Sequence, residues 1–122
     1  MKALVIDENG PRLDAAYAAP AAKPGWAVVR VLAAGVGGLD LAAVAGRIAH
    51  AGVIGHEIVG RVETCDDDSL VGARVVIDPE LPCGGCDRCR SGLPRHCRDV
   101  RRLGFASTDG GLAEQVAVPV RN

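Results

Sequence analysis

Four of the five cysteines in this chain fall inside one short stretch, PCGGCDRCRSGLPRHC, at residues 82–97. No other feature constrains the fold as strongly. Sulfurs this close must be bonded to each other, bound to a common ion, or left open to oxidation. The total of five is odd, and the start of the chain, MKALVIDENG, reads as neither a signal peptide nor a membrane anchor because its apolar run ends in acids. The expected compartment is the cytoplasm, where disulfides are rare and clustered cysteines more often hold metal.

The spacing Cys83-x2-Cys86-x2-Cys89-x7-Cys97 lets four thiolates converge, with Gly84, Gly85 and Gly92 available for tight turns. Zinc is the leading candidate, since it takes four sulfurs tetrahedrally in closed structural sites. Two other readings stay open at this point. A C-x2-C-x2-C run also begins bacterial iron–sulfur motifs, but there the fourth cysteine follows after three residues and precedes proline. The four could also be unligated thiols, a poor arrangement for packing and a liability to oxidation. His96, beside Cys97, is an alternate ligand or a surface histidine, and Cys65 reads as a lone thiol.

A four-thiolate zinc site carries two negative charges, and Arg88, Arg90, Arg95, Arg98, Arg101 and Arg102 lie in or just after the lobe to offset them. The same arginines would suit a zinc ribbon gripping phosphate. Against that stand a formal net charge of -1 and an aromatic content of 2%, which argue for neither nucleic acid nor an anionic membrane as partner.

The rest of the chain reads as strands over 2–6, 27–36, 58–64, 73–78 and 113–118, all Val-rich and bounded by Gly, Pro or Asp. A short helix is expected over most of 39–48, with Gly46 near its end, and turn or loop structure over 16–25 and 63–72. Nothing marks a linker, so 1–122 is expected to be one mainly β domain, a small partly open barrel carrying a metal lobe at 80–100.

The segments GVGGLD (35–40), GHEIVGRV (55–62), VGARVV (71–76), the four-cysteine lobe and DGGLAEQVAVP (109–119) follow one another in an order that resembles the zinc-dependent alcohol dehydrogenases. The resemblance is to the N-terminal, GroES-like domain of these medium-chain dehydrogenases/reductases and covers essentially the whole chain. It implies a structural zinc, one per chain, on Cys83, Cys86, Cys89 and Cys97. It also implies an alcohol or carbonyl substrate in the full-length family and a catalytic zinc held by a cysteine in V-C-G-T/S-D, by the histidine of G-H-E and by a further residue later in the chain, the glutamate of G-H-E serving as alternate ligand. Here Gly37 stands at that cysteine position and Leu39 at the hydroxyl position, while Asp40, His56 and Glu57 remain. These three are vestigial candidates for catalysis; as structural groups, His56 would be hydrogen-bonded inside the fold and Glu57 would cap backbone. The motif H-E-x-x-H is absent, its second histidine position being Gly60.

The family binds NAD(P) on a second, Rossmann domain, and no G-x-G-x-x-G occurs in this chain. The expectation is therefore a catalytic-type domain, inactive alone and completed by a nicotinamide-binding domain. The alternative is a stand-alone zinc-stabilised binding or scaffold module.

Overall fold

A computed structural model describes all 122 residues. Strand β1 (Ala3–Asp7) pairs antiparallel with β2 (Gly10–Asp14) on one edge and with β4 (Gly52–Val53) on the other. A second, four-stranded sheet runs in the order β6 (Arg74–Val76), β5 (Glu57–Thr64), β3 (Trp26–Gly35), β9 (Gln115–Pro119). The two sheets are joined where Ala3 bridges Ala113 and the Leu4 N–H donates to the Leu112 carbonyl at 2.8 Å. A two-stranded ribbon, β7 (Glu80–Leu81) with β8 (Arg101–Arg102), closes the neck of the cysteine lobe.

The sheet forms because alternate residues can be buried on one side. Ala27 and Val29 of β3, Ile58 and Val62 of β5, and Val116 and Val118 of β9 make one core cluster with Ile77, Leu81 and Leu103. Gly60 sits inward between Ile58 and Val62, and a Cβ there would run into the Val29 side chain and lie 2.7 Å from the Arg30 carbonyl oxygen. Close approach of β3 and β5, across two register shifts in β3, is what excludes a side chain at that point. With few aromatics, the interior is assembled from small branched residues.

Helix α1 (Gly38–Val44) docks on β1 through Ala43, which packs with Ile6 and Ile54. It covers Leu39–Val44 of the span 39–48 over most of which a helix is expected, and stops before Gly46. Gly46 ends it by taking the left-handed conformation, φ 69°, so that its N–H bonds back to the Ala43 carbonyl at 2.9 Å and the Arg47 N–H to the Ala42 carbonyl at 2.8 Å. The predicted strands lie close to β1, β3, β5, β6 and β9, and the mainly β class holds, with few short helical segments. Strand β2 was not foreseen: it is an edge strand with no buried residue, laced by Arg12 to Asp7 at 2.8 Å and to Asp14 at 3.1 Å, so it has no hydrophobic alternation to read. Strands β4, β7 and β8 have two residues each, too short to leave a period. No helix is long and apolar enough to cross a membrane.

Candidate metal centre

The lobe leaves the barrel after Leu81 and returns at Leu103, both nearly fully buried in the main core. Between Pro82 and Val100 only Cys97 is buried. A segment this exposed has no hydrophobic reason to hold a shape. What it has instead are two single turns of helix, α2 (Asp87–Arg90) and a 3-10 turn at Pro94–His96, and one convergence point. Gly84 and Gly92 take the left-handed turn conformation, with φ of 75° and 76°; Gly85 does not. These turns bring the Sγ atoms of Cys83, Cys86, Cys89 and Cys97 within 4.8 Å of one another.

The separation is right for one tetrahedral ion. Zinc–sulfur bonds of about 2.3 Å place the sulfurs roughly 3.8 Å apart, and the Sγ atoms of Cys86 and Cys97 are 4.0 Å apart. Backbone amides point at the sulfurs: Cys83 N–H donates to Cys97 Sγ at 3.2 Å, Cys86 N–H to Cys83 Sγ at 3.3 Å, and Asp99 N–H to Cys97 Sγ at 3.4 Å. Amides at Arg98 and Cys89 draw the Cys86 thiol down to about 6, and those at Gly85 and Cys86 lower Cys83. Cys89 is driven the other way, to about 12, by desolvation and by the sulfurs beside it. A divalent cation supplies the charge that lets all four ionise together.

Around the sulfurs, Arg98 clamps Asp87 through two bonds of 2.8 and 2.9 Å, tying α2 to the segment after Cys97. The predicted charge balance by arginines is only partly visible. Asp87 and then the Cys86 sulfur raise the Arg98 pKa, whereas Arg102 is taken by Glu80 at 2.7 Å in the neck. His96 is exposed and outside the cluster, and Cys65 donates to the Asp67 carbonyl at 2.9 Å far along the chain from it.

The second group of sequence candidates gathers at the start of α1. Asp40 is fully buried and uses both oxygens on backbone: Oδ2 accepts the Gly37 N–H at 2.8 Å and Oδ1 the Gly55 N–H at 3.0 Å. It is thus a structural clasp between α1 and the loop before β5, a role invisible in sequence. His56 lies against Phe105, edge to face with ring centroids 5.3 Å apart, and its Nδ1 is 3.6 Å from Asp40 Oδ1 with no hydrogen-bond partner. The Glu57 side chain is exposed and folds over Gly35 and Gly37. Leu39 is partly exposed on α1. Phe105 escaped sequence reasoning; its only signal was being the sole phenylalanine.

Another polar clasp was also missed. Asp109 accepts from the Tyr17 hydroxyl at 3.0 and 3.1 Å and from the Val53 N–H at 2.9 Å, fixing the 16–25 loop against the sheet.

Comparison with known proteins supplies the wider context. The alcohol dehydrogenase GroES-like domain family matches residues 23–122. A D-altritol 5-dehydrogenase of Agrobacterium fabrum is 37% identical, over 93% of this chain and 35% of its own length. Among solved structures, an Escherichia coli protein described as a short chain alcohol dehydrogenase (rspB), complexed with NADH, superposes with a TM-score of 0.91 at 32% identity, covering 100% of this chain and 37% of that one. A cobalt- and zinc-bound thermostable alcohol dehydrogenase from Pyrobaculum aerophilum gives a TM-score of 0.86 at 31% identity, covering 100% of this chain and 40% of that one. The chain therefore spans little more than a third of the length of such relatives.

Proposed function

Since the chain belongs to the alcohol dehydrogenase GroES-like domain family, matched over residues 23–122, we propose that it serves as the N-terminal catalytic-type domain of a nicotinamide-dependent oxidoreductase. In this reading Cys83, Cys86, Cys89 and Cys97 hold one structural zinc. The observation that carries it is the convergence of four sulfurs within 4.8 Å in a lobe that otherwise buries almost nothing. Bound there, zinc would cross-link the lobe and supply no open coordination position for chemistry. The chain's own residues do the rest of the work: amides of Cys83, Cys86 and Asp99 stabilise thiolate sulfur, and the β7–β8 neck with Leu81 and Leu103 fastens the lobe to the barrel.

The relatives support a reaction class for the whole enzyme. A D-altritol dehydrogenase and an NADH-bound alcohol dehydrogenase support oxidation of a secondary alcohol, with a polyol as the substrate class. Hydride transfer requires a dinucleotide held against the substrate, and the nicotinamide-binding domain is the partner that would provide it. The chain alone is accordingly expected to be inactive, and to work in the cytoplasm.

Native mass spectrometry with elemental analysis tests the lobe, with one zinc per chain expected. Iron with sulfide, or no metal after purification without chelators, would overturn the assignment. NADH fluorescence tests the division of labour: no enhancement is expected with this chain alone. Saturable NADH binding would mean that the cofactor site lies within residues 1–122.

A further inference from the structure

The surroundings of His56 disagree with the family's second, catalytic metal. A catalytic zinc takes three protein donors and keeps a fourth position open. Around Gly37 the structure offers two. Both oxygens of Asp40 are committed to the Gly37 and Gly55 amides, which leaves His56 and Glu57. The four lobe sulfurs are the only set of three or more metal-ligating groups whose donor atoms converge; Asp40, His56 and Glu57 form no such set.

Yet the space for a third donor is intact. A Cβ placed on Gly37 would lie 3.2 Å from Glu57 Oε1, 3.5 Å from Asp40 Oδ2 and 3.5 Å from His56 Cε1, the ring carbon between its two nitrogens. The neighbour nearest to that point is the tip of a flexible, exposed side chain, which can swing aside. Backbone at Gly37 is ordinary extended chain, with φ of -96° and ψ of 175°, so a residue with a side chain adopts it without strain. The Asp40 carboxylate grips the Gly37 N–H rather than any side chain, so substitution leaves the helix cap in place. His56 is largely buried, its side chain 14% exposed, and the polar atom Nδ1 is unpartnered. The site is shaped as a ligand cradle that lacks one sulfur.

We infer that the chain retains one metal ion and not two, and that a thiol at residue 37 would complete, with His56 and Glu57, a three-donor metal site within these residues. This rests on the zinc reading of the lobe only for the baseline count. The baseline and the increment are read separately.

The test is metal stoichiometry of the purified chain under reducing conditions, by native mass spectrometry after zinc loading and removal of loose metal, with circular dichroism to confirm folding. The expected counts are one zinc for the native sequence, two for Gly37→Cys, one for Gly37→Ser, and one for Gly37→Cys combined with His56→Asn. Cobalt loading adds a readout, since the extra site in Gly37→Cys should add visible absorption that His56→Asn removes. Two metals in the native chain would overturn the inference, as would a folded Gly37→Cys that gains none. So would a second metal that survives His56→Asn, or a Gly37→Ser chain that fails to fold, which would refute the steric argument. A native count of zero would sink the lobe assignment instead, while a gain of one in Gly37→Cys would still support the cradle.

Discussion

Withdrawing the lobe's metal, by a strong chelator or through Cys86→Ser, should melt the segment around residues 80–100 and leave the barrel standing. Cys83 and Cys97 lie at the two ends of the ligand run, and fastening them to one point closes a loop of about 15 residues, worth about 3 kcal/mol on chain entropy alone. Little else opposes opening. Cys97 is the only buried residue between Pro82 and Val100, and the Arg98–Asp87 clamp joins side chains that are 69% and 57% exposed, so solvent screening leaves it little weight. A loss of about 3 kcal/mol corresponds to roughly 150-fold less protection against opening. Hydrogen exchange resolves this residue by residue. The amides of Cys83, Cys86 and Asp99, which face the sulfurs, should exchange about two orders of magnitude faster after chelation, while those of Val29 and Val62 in the sheet stay protected. Unchanged lobe protection would refute the cross-link argument. A parallel collapse of the sheet would refute the separation between lobe and barrel.

Other perturbations probe the frame that carries the two sites. Asp40→Ala should cost about 2–5 kcal/mol in urea denaturation, because the Gly37 and Gly55 amides lose their shared acceptor in a buried position; a cost under 1 kcal/mol would mean that these amides find other partners. Gly60→Ala forces β3 away from β5 and should lower stability by about 1–3 kcal/mol, read as a shift in denaturation midpoint at constant slope. Tyr17, the sole tyrosine, should ionise above its ordinary value of 10.0, because desolvation and then the Asp109 carboxylate favour the neutral phenol. A raised acid pKa stabilises the fold fully below pH 10 and loses that contribution as pH climbs through the native value. Near-ultraviolet titration should therefore show a late phenolate transition that Asp109→Asn moves towards 10; a transition unmoved by Asp109→Asn would show that the pairing has no electrostatic weight.

Much of this architecture is legible without coordinates. Sixteen residues holding four cysteines among glycines admit few shapes, and the structure does gather those sulfurs. The runs AVVRV, IVGRV and QVAV alternate or stay apolar as sheet residues must, and they became β3, β5 and β9. Strands without a buried face left no trace. Exposed β2 and the two-residue neck of the lobe owe their existence to partners distant in sequence, such as Glu80 opposite Arg102. A pattern detector of any kind sees a period, and these elements have none.

The sequence by itself determined the family, the mainly β class and the set of sulfurs that could share an ion, because each depends on local spacing and residue type. It also determined that no thiol stands at position 37. Tertiary structure alone decided what that absence means. Whether Gly37 is an empty place beside His56 and Glu57 or a backbone packed beyond use depends on two segments some twenty residues apart in sequence, and only folding sets their separation. The same holds for Asp40, which composition marks as an acid and the fold turns into a clasp. Burial removed water from its carboxylate, and the two amides that replaced that water come from different parts of the chain.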